Sequence, residues 1–308
     1  MKIIFLGLFC SFLFYLWFRN GRKYKSSASV ASSYDSWTND RILESFWGEH
    51  IHLGYYDLEQ SFLKQDFKKA KIRFVHELIE WSGLSSLPPG SRIIDVGCGI
   101  GGSARILARD YGFDVIGITI SKAQARRASE LTKDGLTCRF MVMDALDLKF
   151  ADGTFDGVWS VEAGPHMPNK QLYADEMLRV LKENGVLAVA DWNSRDSFEN
   201  KFTNFERMIM NQLLTQWTHP EFSTIKGFQQ NLLNSSFCRD SVQTSDWTKF
   251  TIQSWEDSIF EGFRKPFLFF KLGPNALLKS IREIPTILMM RWAFSKGLMQ
   301  FGVFKNQK

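Results

Sequence analysis

The sequence predicts an α/β protein of the Rossmann-like kind, a mostly parallel seven-stranded sheet with helices on both faces, behind an N-terminal membrane-anchor helix. Three observations lead there. From Arg92 onward short apolar runs alternate with helical segments, the pattern of a parallel sheet covered on both sides. The first of those runs feeds a glycine-rich turn, IIDVGCGIGGSA at 93–104. The N-terminus, from Ile3 to Phe18, carries no charge and is followed by Arg19, Arg22, Lys23 and Lys25.

Taken in order, the Ile3–Phe18 run is near the short limit for a bilayer-spanning helix at about 1.5 Å per residue. A cleaved signal peptide would place its charges before the apolar stretch and a small-residue site after it, whereas here the bases follow. Residues 1–25 are therefore expected to be an uncleaved anchor with a basic flank, holding the body on the cytoplasmic side. A Ser-rich joint, SSASVASS at 26–33, leads into a polar-aromatic segment, and DFKKAKIRFVHELIEW has one apolar helical face. Residues 26–84 read as a helical cap that LPPGS at 87–91 brings to an end.

The core, 85–193, alternates RIIDV, SARILARDY, DVIGIT, KAQARRASEL, RFMVMD, FDGVWS, KQLYADEMLRVL and VLAVADW. Beyond it, 194–308 holds a helical insertion serving as a lid, a strand around Val242–Trp247, a basic apolar segment from Phe263 to Phe294, and FGVFK as a closing strand. A second transmembrane helix in that basic segment is excluded by Lys271, Lys279, Arg282, Glu283 and Arg291, so an interfacial segment or a lid over an apolar substrate fits better. Core packing is the alternative.

Charge supports a lipid partner. The net +5 conceals +5 on residues 1–25 and +8 on residues 262–308, which leaves the body at −8. Basic ends rich in Phe, Leu and Trp suit a membrane surface, whereas nucleic acid would call for bases over the folded body. Cys10, Cys98, Cys138 and Cys238 form no C-x-x-C pair, so neither a disulfide framework nor a thiolate metal site is expected.

In an open parallel sheet the ligand lies at the carboxyl ends of the strands, beside the first glycine turn. Gly97-x-Gly99-x-x-Gly102 matches a dinucleotide fingerprint, but a nicotinamide site wants an acid at the end of the second strand, where GITIS offers Thr119. The acid is instead Asp95, ending the first strand. A carboxylate there suits a ligand with a cationic amino group and no pyrophosphate, as S-adenosylmethionine is. A further acid, Asp144, ends the third run. A turn that only packs helix on strand is the bland alternative.

With these residues the sequence resembles the S-adenosylmethionine-dependent methyltransferases of class I. ASSYDSWTND, FWGEHIHLGYY, DVGCGIGGSARILARDYGF, VWSVEAGPHMP, VADWN and REIPTILMMRWAF resemble the cyanobacterial 2-methyl-6-phytyl-1,4-benzoquinol methyltransferases, relatives of the tocopherol methyltransferases, over almost the whole chain from Ala31. The resemblance implies methylation of a prenylated benzoquinol, with a phytyl or solanesyl tail, in tocopherol and plastoquinone biosynthesis, at a thylakoid or plasma membrane. It implies Asp95 beside the methionine amino group, Gly97, Gly99 and Gly101 against the cofactor, Thr119 and Gln124 at the ribose, and Asp144 with the Ala145 backbone at the adenine. KENG at 182–185 and Lys122 depart from the usual KPGG and SPxQ, and Asn184-Gly185 is itself a good turn.

Ring methylation needs a base near the neighbouring hydroxyl and the methyl in line with the carbon. Glu162 and His166, the titratable residues of VEAGPHM after the fourth strand, are the candidates, and His166 is favoured by its unperturbed pKa near 6.5. A loop-shaping hydrogen bond is the alternative for each. His52 and Tyr55 of GEHIHLGYY, with Tyr34 and Trp37, are expected in the pocket wall, Tyr34 and Trp37 near the sulfonium, with ordinary packing the alternative for each. Two alternating histidines without a third ligand do not make a metal site. Two competing classes remain: a membrane-bound nicotinamide dehydrogenase, and a non-catalytic S-adenosylmethionine-binding subunit.

Overall fold

The computed structural model describes residues 18, 21–60, 65–196 and 201–308, without the side chains at 269 and 270. The expected anchor run, Ile3–Phe18, therefore lies outside the described residues except for Phe18, and so does Cys10. Among the described residues no helix is long and apolar enough to cross a membrane.

The Ser-rich joint is not a linker. Ser26 caps a helix, α1 (Ser27–Asn39), in a capping box with Ser29. Val30 is its buried residue, and Asp35 hydrogen-bonds to Ser121 and Ala123, so the helix is held although its serines would otherwise favour turns. α2 (Ile42–Trp47) follows, then α3 (Phe67–Ser82), which Asp66 caps through the Lys69 N–H and which ends at left-handed Gly83.

The sheet has seven strands in the order β3-β2-β1-β4-β5-β7-β6. β1 (Arg92–Val96), β2 (Asp114–Thr119), β3 (Cys138–Val142), β4 (Phe155–Val161) and β5 (Leu181–Ser194) run parallel. β7 (Met299–Gln307) inserts antiparallel between β5 and β6 (Gln243–Asp246), so FGVFK closes the sheet from inside its edge. α4 (Gly102–Tyr111), α5 (Lys122–Leu131) and α6 (Lys170–Val180) are the crossovers. The insertion before β6 supplies α7 (Asn204–Gln216) and α8 (Ile225–Asn234). Between β6 and β7 lie α9 (Thr248–Thr251), α10 (Gln253–Arg264), α11 (Pro266–Leu272) and α12 (Pro274–Ser295).

Adjacent residues of β1 serve opposite cores. Ile93 belongs to one buried core with Phe74 and Leu78 of α3, Leu107 of α4 and Phe294 of α12, whereas Ile94 belongs to another with Tyr173 and Met177 of α6 and Phe228 of α8. Both faces of the central strands are covered, which is why they read as continuous apolar runs. The carboxyl ends of β1, β2 and β4 are left open to one side, under α1 and α2.

Candidate active site

A cavity of about 500 Å³ lies against those strand ends, with walls from α1, α2, α10 and α12. Asp95 is the fourth residue of β1, paired in register with Gly117 and Trp159, and only 2 % exposed. Burial lifts its pKa to about 7, with the Ala104 N–H and Arg105 pulling the other way. Its Oδ2 is buried and has no hydrogen-bond partner. Such an orphan is costly unless a ligand satisfies it.

The turn after Asp95 is built for close approach. Gly97 has φ +80°, and a Cβ there would lie 2.4 Å from that of Ala163. Gly99 has φ +53° and open space where its side chain would be. Gly101, the left-handed cap of α4, does not line the cavity and sits under Phe140.

Thr119 and Gln124 are both buried and joined by a 2.7 Å hydrogen bond from the threonine hydroxyl to the amide oxygen. Ser121 caps α5 between them. Asp35 of α1 accepts from the Ser121 hydroxyl and from the Ala123 N–H, at 2.5 and 3.0 Å, which fastens α1 across this end of the cavity. Asp144 and Ala145 line the same end, and the Asp144 carboxylate accepts the Leu146 N–H.

Across the cavity stands the wall that follows β4. Glu162 has φ +56°, a sparsely populated conformation for a residue with a Cβ. Its carboxylate accepts the Leu53 N–H at 2.7 Å. Burial raises its pKa to about 8, against that hydrogen bond and the charge of Lys71. His166 is affected in the opposite sense, because burial and then the Lys170 charge lower its pKa to about 3. Its Nε2 is 2.7 Å from the Tyr34 hydroxyl, its Nδ1 is buried without a partner, and its ring stacks on His219 at 4.2 Å between centroids. Trp37 meets Tyr34 edge-on at 5.4 Å.

The histidine pair of GEHIHLGYY is structural in its hydrogen bonding. His52 Nδ1 donates to the Leu53 carbonyl at 2.7 Å, so its Nε2 accepts from His50 Nδ1 at 3.1 Å. Burial keeps both neutral, lowering His52 to about 3. Among the described residues no cluster of three or more His, Cys, Asp or Glu could hold a metal ion. Tyr55 is not in the cavity wall. It stacks on Phe250 at 4.6 Å, because the chain turns there to send the Tyr55 N–H to the Ala70 carbonyl.

Several side chains at the site have no local sequence signal. Lys71 is buried, donates to the His50 carbonyl at 2.7 Å and lies over the rings of Phe67 and Trp47. Asp191 accepts the Gly164 N–H, and burial raises its pKa against the opposing charge of Lys170. Trp192, Trp217 and Trp255 form a cluster with centroids 5.3–5.9 Å apart. Glu283, the lone acid of the basic end, accepts the Trp217 indole N–H at 2.7 Å and pairs with Arg22 at 2.9 Å.

The cavity thus has two characters. Asp95, Thr119, Gln124, Asp144 and Glu162 mark a polar end, while Trp217, Trp255, Ile259, Phe263, Ile284 and Ile287 mark an apolar one. The orphaned Asp95 oxygen and the open Gly99 cradle fit a ligand with a cationic amino group lying along the glycine turn.

Fold and site define a Rossmann-like methyltransferase, and residues 94–189 match the family described as a methyltransferase domain. The chain is 52 % identical, over 94 % of its length and 91 % of the relative's, to 2-methyl-6-phytyl-1,4-hydroquinone methyltransferase of Synechocystis sp.. It is 34 % identical to the chloroplastic tocopherol O-methyltransferase of Arabidopsis thaliana, over 87 % of this chain and 78 % of that one. The chain belongs to this family of S-adenosylmethionine-dependent methyltransferases. Geranyl diphosphate C-methyltransferase from Streptomyces coelicolor A3(2) shares the fold, with a TM-score of 0.68 at 19 % identity over 91 % of this chain and 97 % of that one.

Proposed function

We propose that the chain methylates a ring carbon of a prenylated benzoquinol, 2-methyl-6-phytyl-1,4-benzoquinol or its solanesyl analogue. The observation that carries this reading is that one cavity joins a polar end, where burial raises the pKa of Asp95 and of Glu162, to an apolar end. The 52 % identical relative, named for a phytyl hydroquinone, supports the same substrate class.

S-adenosylmethionine supplies the electrophilic methyl when bound. Asp95 would hold its amino group, Gly97 and Gly99 would let the backbone approach, and Thr119, Gln124, Asp144 and Ala145 would meet its nucleoside. Glu162 is our choice of base. A carboxyl with a pKa near 8 is matched to proton removal near neutral pH, whereas an imidazole at about 3 is too weak a base. The burial that makes His166 weak removes the reason its ordinary pKa gave for preferring it. His166 and Tyr34 instead form the hydrogen-bonded floor on which the quinol ring would lie, with Trp37 and His52 behind. The residue divisions at 25, 84 and 193 would then separate anchor, cap, cofactor core and substrate lid. The Ile3–Phe18 run would anchor the chain, with the catalytic body on the cytoplasmic face of a bilayer.

Two assays test this. S-adenosylhomocysteine, and not NADH, should raise the melting temperature, since only a ligand of the folded site stabilises it. Turnover with a labelled methyl donor over a panel of prenylated quinols, with mass spectrometry, should find the label on ring carbon. Binding without turnover on every quinol would favour a non-catalytic subunit.

A further inference from the structure

The apolar end of the cavity runs out onto the protein surface. Phe263, Leu277 and Ile281 line it and are at the same time 71 %, 39 % and 49 % exposed. Phe260, Phe267, Leu278 and Leu288, on the same three helices, are each more than half exposed. Seven of the sixteen exposed large apolar side chains among the described residues therefore fall between 260 and 288. Exposed apolar side chains concentrated in one part of the fold in this way mark an interaction site.

Charge identifies the partner. Arg264, Lys265, Lys271, Lys279, Arg282 and Arg291 lie on or between these helices, against Glu256, Asp257, Glu261 and Glu283. Glu256 is paired with Arg291, Asp257 accepts the Tyr56 hydroxyl, and Lys279 reaches Asp40 of the α1–α2 turn. Glu261 is buried beside Arg264 and Lys265, and Glu283 is engaged by Arg22 and Trp217. Aromatic and aliphatic side chains interspersed with bases match a surface that is anionic outside and apolar beneath, as a bilayer with anionic lipids is. Arg22 comes shortly after the uncharged N-terminal run, and its pair with Glu283 brings the chain into the fold at α12, beside this same face.

We infer that the face formed by α10, α11 and α12 lies on a bilayer containing anionic lipid and that the cavity opens directly into it. A prenylated substrate then enters head first from the lipid and keeps its tail along Phe263, Leu277 and Ile281 while the ring reaches Glu162. This deepens the prenylquinol reading and rests on it, adding the docking surface and the route of entry.

The test uses the full chain on phosphatidylglycerol vesicles. A photoactivatable phenylalanine analogue at position 267 should crosslink to lipid, and the same analogue at Leu233, exposed on α8, should not. This readout needs no substrate, so it stands even if no quinol is methylated. Crosslinking to a second copy of the chain, or equal lipid crosslinking at both positions, overturns the inference. In parallel, the variant Phe267→Ser, Leu278→Ser, Lys271→Glu should lose at least about tenfold in methylation of a long-tailed quinol carried in those vesicles, through weaker interfacial attraction. Its rate on a short-tailed quinol dispersed in water should stay unchanged. An equal loss on both substrates, or on neither, overturns the inference. Failure of the wild-type chain to methylate either quinol would refute the functional reading instead.

Discussion

The two ends of the cavity are built differently. The polar end comes from consecutive strand ends and their turns between Asp95 and Glu162, whereas the apolar end gathers Trp217, Trp255, Phe263 and Ile287 from helices far apart in sequence. At the polar end a few atoms are held in place by the sheet, and burial tunes two carboxyls upward, Asp95 to about 7 and Glu162 to about 8. At the apolar end the helices provide area without a single required contact. One changed atom should therefore matter greatly at the first end, and changed volume at the second.

The largest effect is expected at Glu162. Glu162→Gln should lower the rate of methyl transfer by about 10²–10⁴-fold with little change in cofactor affinity. In the unmodified protein the rate should rise with pH through about 8, as the carboxyl ionises, and the variant should lose that rise. His166→Ala should cost less. A reversed order in side-by-side kinetics would transfer the base to His166.

Next comes Asp95. Asp95→Asn should weaken S-adenosylhomocysteine binding at least tenfold at pH 8, because a charge-assisted hydrogen bond contributes about 1.5–3 kcal/mol. The difference should shrink toward pH 5, where Asp95, its pKa raised to about 7, is already protonated. Calorimetry at the two pH values decides it, and a penalty independent of pH would mean that Asp95 does not face the ligand's charge.

A smaller effect is expected at the apolar end. Ile284→Trp should narrow the channel and raise KM several-fold for a phytyl quinol while sparing a tailless one, since overpacking affects only the group that needs the space. Equal effects on both would place the tail elsewhere.

The smallest effect concerns the ligand-free fold. Because burial raises the Asp95 pKa on folding from the ordinary carboxylate range to about 7, its contribution to stability is fully present below about 4 and is lost as pH rises through 7. Asp95→Asn should remove that loss, so the ligand-free variant should gain in Tm over the parent protein at pH 8 more than at pH 5. A gain of a few degrees is expected, at about 2–4 °C per kcal/mol. Thermal scans with equal Tm differences at both pH values would contradict a buried, ionising Asp95.

What the sequence disclosed follows the same division. The order of strands, the glycine turn and the acid at its head are local patterns, and Asp95, Gly97, Gly99, Thr119, Gln124, Asp144, Glu162 and His166 all line one cavity. Tyr34 and Trp37 join them, although their segment read as a polar-aromatic stretch after a joint rather than as the helix α1. Tyr55 does not, since nothing in its neighbourhood of sequence foretells its stack on Phe250. Lys71, Asp191 and Glu283 owe their positions to contacts across more than twenty residues, and no local spacing encodes those. Nor does a reference pKa anticipate burial, which is why the sequence reading preferred His166 and the proposed mechanism prefers Glu162.

The most direct test of a cavity divided between cofactor and prenyl tail is to compare methyl transfer to 2-methyl-6-phytyl-1,4-benzoquinol with transfer to the same quinol without its tail. Each buried CH₂ contributes about 0.8 kcal/mol, so burying even a few tail carbons should raise kcat/KM for the phytyl quinol at least about 100-fold, with the new methyl on ring carbon. Equal kcat/KM for the two quinols, or a methyl found on oxygen, would contradict the account.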